Sequence, residues 1–218
     1  MVKATPLDES IHRTDVFVFY FDVAGCVDQF LTRGDATLSR LRRFQRAARH
    51  AFEFGRENSY VATLFDNVWA RINVTEPGLP SLLLNFAGRV MYAAQSEGFD
   101  SFFGSITRGT HDFDPSDRML VGGDSFEDLR EQHLDVTSEP HIRAAYAERW
   151  QRVPTLPDNC VWVSAEAVPP RSLEAEASFA DSAFRPFREE FDLKHHTLAN
   201  GKQWPFSNSL FRAIRYAS

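Results

Sequence analysis

Two aspartates 44 positions apart, Asp22 and Asp66, each stand at the end of an apolar run with the look of a β-strand. The first run is Asp15-Val-Phe-Val-Phe-Tyr-Phe21, which delivers Asp22 and then Val23-Ala24-Gly25. The second is Ser59-Tyr-Val-Ala-Thr-Leu-Phe65, which delivers Asp66-Asn67 and leads straight into Val68-Trp-Ala-Arg-Ile-Asn-Val74. Were the strands neighbours in one sheet, two carboxylates would meet at one edge. Such a pair suits two divalent ions, Mg²⁺ or Mn²⁺, set against the phosphates of a nucleotide. Magnesium prefers one or two carboxylates completed by substrate oxygens, and the backbone carbonyl of Val23 is a reasonable extra ligand. Gly25 would let backbone approach a phosphate with no side chain in the way. Each aspartate also has an ordinary reading, since Asp-Asn is common hairpin chemistry and an Asp after a strand often caps a helix.

The elements that must position these groups follow from patterning. Residues 15–21 are apolar almost throughout, as for a strand covered on both faces. Gly34-Asp35 introduces a helix predicted over Ala36 to Glu57, with Leu38, Leu41, Phe44, Ala48 and Phe52 at helical spacing. Its many arginines (Arg40, Arg42, Arg43, Arg46, Arg49) read as a solvated face. Strands at 59–65 and 68–74 form a hairpin across Asp66-Asn67. An apolar helix over 81–96, a strand from Phe102 to Arg108, a helix over 140–151 with Pro140 near its start, and a strand Cys160-Val-Trp-Val163 come next. From about residue 170 the pattern weakens. The order strand, helix, hairpin, helix, strand, helix, strand predicts an α+β, ferredoxin-like βαββαβ sheet with additions. Helices are expected on one face, with a partner subunit or the C-terminal segment as cover for the other. The expected divisions are a lead-in at 1–14, a catalytic domain at 15–168 and a C-terminal extension at 169–218.

Composition narrows the function classes. With 218 residues, 43 % of them hydrophobic, the chain can bury one substantial core. Its 24 basic and 30 acidic residues give a net charge of −6, which argues against nucleic-acid binding through a basic face. No run nears the roughly 18 apolar residues needed to span a bilayer, and the first ten residues lack the apolar core of a secretion signal. Two cysteines, Cys26 and Cys160, make neither a disulfide framework nor a zinc site alone, so a cytoplasmic setting is expected.

Together these residues resemble a class III nucleotidyl cyclase catalytic domain over about residues 15–165. Phe21-Asp22-Val23-Ala24-Gly25 is similar to the family's first metal motif, Phe-Asp-Ile-x-Gly. Phe65-Asp66-Asn67 sits where the family carries its second metal Asp, on a hairpin. Phe103-Gly-Ser-Ile-Thr-Arg-Gly109 resembles its fourth strand, and Pro140 to Glu148 followed by Cys160-Val-Trp-Val-Ser164 its late helix and closing strand. The resemblance implies Asp22, Val23 and Asp66 as holders of two divalent ions, with Phe21 and Gly25 beside the substrate.

The departures point to a subgroup. Adenylate cyclases of this class read adenine with a Lys four residues before the second Asp, where this chain has Ala62. Their late helix carries Asn and Arg in a Val-Asn-x-Ala-Ala-Arg pattern. Aligned on Ile142-Arg-Ala-Ala-Tyr-Ala147, Arg143 takes the Asn position and Ala147 the Arg position. The Ala145-Tyr146 pair looks instead like that of the short pyrimidine cyclases of bacterial anti-phage (Pycsar) signalling. That likeness implies a homodimer with composite sites, turning UTP, or CTP as the alternative, into a cyclic nucleotide read by a separately encoded effector. Arg143 is then the candidate catalytic cation, since a guanidinium matches phosphate geometry. Tyr60 and Tyr146 are candidates for excluding a purine by bulk.

Three competing readings carry less. Val121-Gly-Gly-Asp-Ser-Phe126 superficially resembles the Gly-Gly-Asp-Glu-Phe signature of diguanylate cyclases, but Ser125 replaces the Glu and the residues after Phe126 read as helix. A two-metal nuclease or phosphatase would want further acidic or His ligands near the pair, and His195-His196 is remote. A non-catalytic, cyclase-like binding or dimerisation module is favoured by the altered late helix and opposed by the intact aspartate pair.

Overall fold

The apolar run around residue 19 governs the architecture of this chain, for which we describe a computed structural model. Residues 12–51, 59–74, 79–113, 138–167 and 184–216 are described. The Val121–Phe126 turn and the helix expected after it lie outside them.

Strand β1 (His12–Val23) is followed by α1 (Cys26–Arg33), α2 (Asp35–Ala51), β2 (Ser59–Leu64), β3 (Asn67–Asn73) and α3 (Leu79–Ser96). Then come β4 (Phe102–Phe113), α4 (Glu139–Trp150), β5 (Val161–Ser164), β6 (Phe184–Asp192), a 3₁₀ turn at Leu193–His195 and β7 (Leu210–Tyr216). The strands form a seven-stranded sheet in the order β2-β3-β1-β4-β5-β7-β6. Its first four members reproduce the ferredoxin-like order, with β1 antiparallel to both β3 and β4, and β5 joins β4 in parallel.

Strand periodicity sends alternate β1 residues to opposite faces. Phe17, Phe19, Phe21 and Val23 point toward α2 and α3 and enter the main core with Leu41, Phe44, Phe86 and Val90. Phe21 stacks on Phe102 with ring centroids 5.1 Å apart. Val16, Val18 and Tyr20 point the other way and pack under Ala144 of α4. Helices thus cover both faces, a departure from the one-sided arrangement expected. The cause is in the strand: apolar residues of both parities require cover on both sides. Hydrogen bonds seat α4 on the sheet, from Ser105 Oγ to the Ala144 carbonyl and from Thr107 Oγ1 to the Pro140 carbonyl, each 2.7 Å.

Helix α1 was not expected at all. Its Val27 and Leu31 are 57 % and 76 % exposed, so its apolar residues mark no buried stripe. Glycines punctuate it instead. Gly25 precedes it at φ +75° and Gly34 closes it, donating its N–H to the Phe30 carbonyl at 2.7 Å.

The segment beyond residue 169 also does more than extend the domain. Strand β7 pairs antiparallel with β5 and β6 with β7, so both belong to the sheet. They carry a second core in which Trp150, Trp162, Trp204 and Phe211 meet. Cys26 and Cys160 are both buried, and neither is in a disulfide. Among the described residues, no helix is long and apolar enough to cross a membrane.

Candidate active site

Opposite parity on β1 separates Phe21 from Asp22. The Phe21 ring is fully buried in the core, while Asp22 faces the α4 side at the strand's end. In the register of the sheet Asp22 lies across from Asn67 on β3 and from Phe103 on β4. Asp66 occupies the tip of the β2–β3 hairpin, after Phe65 in the left-handed region at φ 52°. The two strand ends are tied directly, since the Val23 N–H donates to the Asp66 carbonyl at 3.2 Å. Asp22 and Asp66 accordingly line one open cleft of about 450 Å³, together with Val23, Gly25, Phe103 and Arg152.

The cleft is electrostatically tense. Burial, then the neighbouring charges of Asp66 and Glu148, push the Asp22 carboxyl up to about 7, against a smaller opposing pull from Arg152. Asp66 is also raised, first by burial, although its own amide and the Asn67 side chain partly offset this. Tyr20 is driven well above the ordinary phenol range by burial and by Asp22 and Glu148. Cys26 is pushed up to about 12 by burial and by the two aspartates. Most telling is Asp22 Oδ1, a buried acceptor without a hydrogen-bond partner among the described residues. A carboxylate in that condition is short of positive charge.

A divalent ion would answer that shortage. No group of three or more His, Cys, Asp or Glu side chains among the described residues is arranged to hold a metal by itself. The donor set is instead two carboxylates and a nearby backbone carbonyl at Val23, the sparse set that magnesium or manganese accepts when substrate phosphates supply further oxygens. The residues fit the pair of ions expected from the sequence.

Four groups around the aspartates were not singled out from the sequence. The Tyr20 hydroxyl contacts Asn67 Oδ1 and has Glu148 Oε2 at 3.3 Å. Asn67 Nδ2 donates to Asp66 Oδ1 at 2.7 Å, and Arg152 Nη2 pairs with Glu148 Oε1 at 2.7 Å. Two signals were available: Tyr20 shares the strand parity of Asp22, and Glu148 and Arg152 stand four apart at the end of a helix.

The other expected site residues lie elsewhere. Arg143 is 1 % exposed, bonded to the Arg108 carbonyl and paired with Glu166 at 2.6 Å and Glu139 at 3.4 Å. Burial lowers its pKa and Glu166 opposes that. Since Arg108 faces Phe17 on β1, Arg143 sits five strand positions from Asp22 and does not line the cleft. Tyr146 packs against Trp204 and Phe206, with centroids 6.0 and 5.9 Å away. Tyr60 lies on β2 across from Arg71. His195 is 80 % exposed beside Asp192 at 3.7 Å, away from the cleft.

No family model and no curated protein matches the sequence. Solved structures do match the fold. The guanylyl cyclase Cya2 superposes with a TM-score of 0.58 over 95 % of both chains at 7 % identity. The catalytic core of a rhodopsin-guanylyl cyclase with converted specificity, in complex with ATPαS, gives 0.56 over 95 % of this chain and 99 % of that one at 13 % identity. The adenylyl cyclase CyaB from P. aeruginosa gives 0.52 over 96 % of each at 12 % identity. The chain therefore has the fold of class III nucleotidyl cyclase catalytic domains.

Proposed function

We propose that this chain is a nucleotidyl cyclase that converts a pyrimidine nucleoside triphosphate, UTP first and CTP second, into the 3′,5′-cyclic monophosphate and pyrophosphate. A bond forms from the ribose 3′-oxygen to the α-phosphorus, the bridge to the β-phosphate breaks, and the 3′-hydroxyl proton is released. The observation that carries the reading is the orphaned, buried Asp22 Oδ1 in a cleft shared with Asp66. Two Mg²⁺ or Mn²⁺ ions, held by Asp22, Asp66 and the Val23 carbonyl, would neutralise charge on the phosphate oxygens as Lewis acids.

The chain's own residues do the rest. Gly25 opens space at the cleft wall, where a Cβ would meet nothing within 4 Å, so the phosphate tail can approach the backbone. Arg152, lining the same cleft, offers a guanidinium to a phosphate oxygen. The pyrimidine assignment rests on the Ala145-Tyr146 likeness and on Ala62 in place of an adenine-reading Lys. Base selection by Tyr60 and Tyr146, composite sites in a two-fold homodimer, and a product read by a separate effector in anti-phage defence belong to the same reading.

A second reading, a cyclase-like module that binds nucleotide without turning it over, is favoured by Arg143, whose guanidinium is already engaged by Glu166. Purified protein incubated with each of the four triphosphates and Mn²⁺, with products resolved by mass spectrometry, separates the two. Cyclic UMP from wild type, lost in Asp22→Ala and Asp66→Ala variants that melt cooperatively, is the expected result. No cyclic product from any triphosphate would overturn the cyclase in favour of the module.

A further inference from the structure

The Tyr20 side chain is placed as a part of the site but cannot itself touch a phosphate. It is 6 % exposed, packed against Trp69 at a tilt with 4.5 Å between centroids, and its hydroxyl is engaged by Asn67 Oδ1 with Glu148 Oε2 at 3.3 Å. Donation from Tyr20 turns the Asn67 carbonyl oxygen inward. The Asn67 amide nitrogen then faces outward, where it donates to Asp66 Oδ1 at 2.7 Å. The opposite amide orientation would set two oxygens against each other at Asp66, and would make the Tyr20 hydroxyl an acceptor with its proton left to Glu148 Oε2. The Asp66 carboxylate therefore sets the amide's polarity, and the Tyr20 hydroxyl, donating to the oxygen so placed, holds the Asn67 side chain in that position.

Asp66 needs such help because of where it sits. A hairpin tip is the most mobile part of a sheet, and this tip is anchored through its backbone: the Phe65 carbonyl accepts from Gln45 Nε2 and the Asp66 carbonyl from the Val23 N–H. Those bonds fix the main chain and leave the carboxylate free to turn. Among the described residues, the Asn67 side chain, beside the residue's own amide, is what holds the carboxylate, and it presents the other oxygen to the cleft.

We propose that Tyr20 is a positioning residue, acting through Asn67 to orient the Asp66 carboxylate for a divalent cation. This rests on the reading of Asp22 and Asp66 as cation holders. Groups behind metal ligands commonly change affinity by tenfold or more when removed.

The test is Mn²⁺ binding to the full chain without nucleotide, followed by the electron paramagnetic resonance signal of the free ion. Tyr20→Phe keeps the ring on Trp69 and removes only the hydroxyl. It should weaken Mn²⁺ binding about tenfold while the thermal midpoint moves little. Asn67→Ala should weaken it similarly, and the double variant should be no worse than either alone, since both remove one relay. A merely structural Tyr20 would give effects that multiply. Wild-type affinity in Tyr20→Phe, or multiplying losses, overturns the relay while the cation site stands. Should Tyr20→Phe not fold, the half-buried Asn67→Ala variant carries the test, and wild-type affinity there overturns the relay. Absence of saturable Mn²⁺ binding in wild type, matched by Asp22→Asn, overturns the cation site and the relay together.

Discussion

Asp22→Asn should make the cation-free protein more stable at pH 8, by an amount the site itself sets. An aspartate ordinarily titrates near 3.9, and in this fold burial and the neighbouring acids push Asp22 up to about 7. That difference corresponds to about 4 kcal/mol held against the folded state once the group is ionised. The open cleft lets water screen the carboxylate, which halves the figure to about 2 kcal/mol. Because the folded chain binds this proton more tightly than the unfolded one, its contribution is most favourable below about pH 4. Stability is lost as pH rises from there to about 7, and the loss is complete above. Asparagine carries no such slope, and it keeps nearly the same size and shape at the strand's end. For a chain of this size about 2 kcal/mol moves the thermal midpoint by about 4–8 °C. Melts in EDTA at pH 8 and pH 4.5 provide the assay: a clear gain at the higher pH, shrinking toward zero at the lower. Saturating Mn²⁺ should raise the wild-type midpoint and leave the variant where it was. An Asn variant that melts at or below wild type at pH 8 refutes the claim that this carboxylate is held at a loss.

Two further outcomes test the framework around the cleft. Arg143→Met should lower stability by about 3 kcal/mol, seen as a reduced urea midpoint, because it strands Glu166 and the Arg108 carbonyl; unchanged stability would return Arg143 to the list of free cations. Trp204→Ala should cost about 3–5 kcal/mol in the same assay, since a 5 % exposed indole packed on Trp150 and Phe211 leaves a cavity no neighbour can fill. A loss under 1 kcal/mol would show that the C-terminal strands are not integral to the domain.

What the sequence made legible was whatever is written in local pattern. The β1 run, the hairpin and the apolar face of α2 announced themselves by period and by turn chemistry, so the ferredoxin-like order and the convergence of Asp22 with Asp66 followed from topology alone. Helix α1 escaped because its hydrophobic residues face solvent. Strand β6 escaped because Phe-Arg-Pro-Phe-Arg-Glu-Glu-Phe-Asp reads as charged, and its pairing slips between Pro186 and Glu190. Arg143 was misplaced for the opposite reason. An arginine on a helix reads as a surface cation, and only the distant Glu166 and the Arg108 carbonyl show it to be internal. Glu148 and Arg152 required knowing that α4 ends over the Asp22 edge, which no local window contains.

Strand β7 lies between β5 and β6 although it comes from residues 210–216, so an interior member of the sheet is the last of its seven strands to leave the ribosome. Until then β5 has an unmet row of amides and carbonyls along one flank, and Trp162 lacks Phe211. Closing that gap joins segments some fifty positions apart, from Val161–Ser164 to Leu210–Tyr216, a contact that entropy makes slow. Assembly of the sheet is thereby held back until translation has passed these residues. A polypeptide that stalls before them keeps a sticky margin that proteases and chaperones recognise.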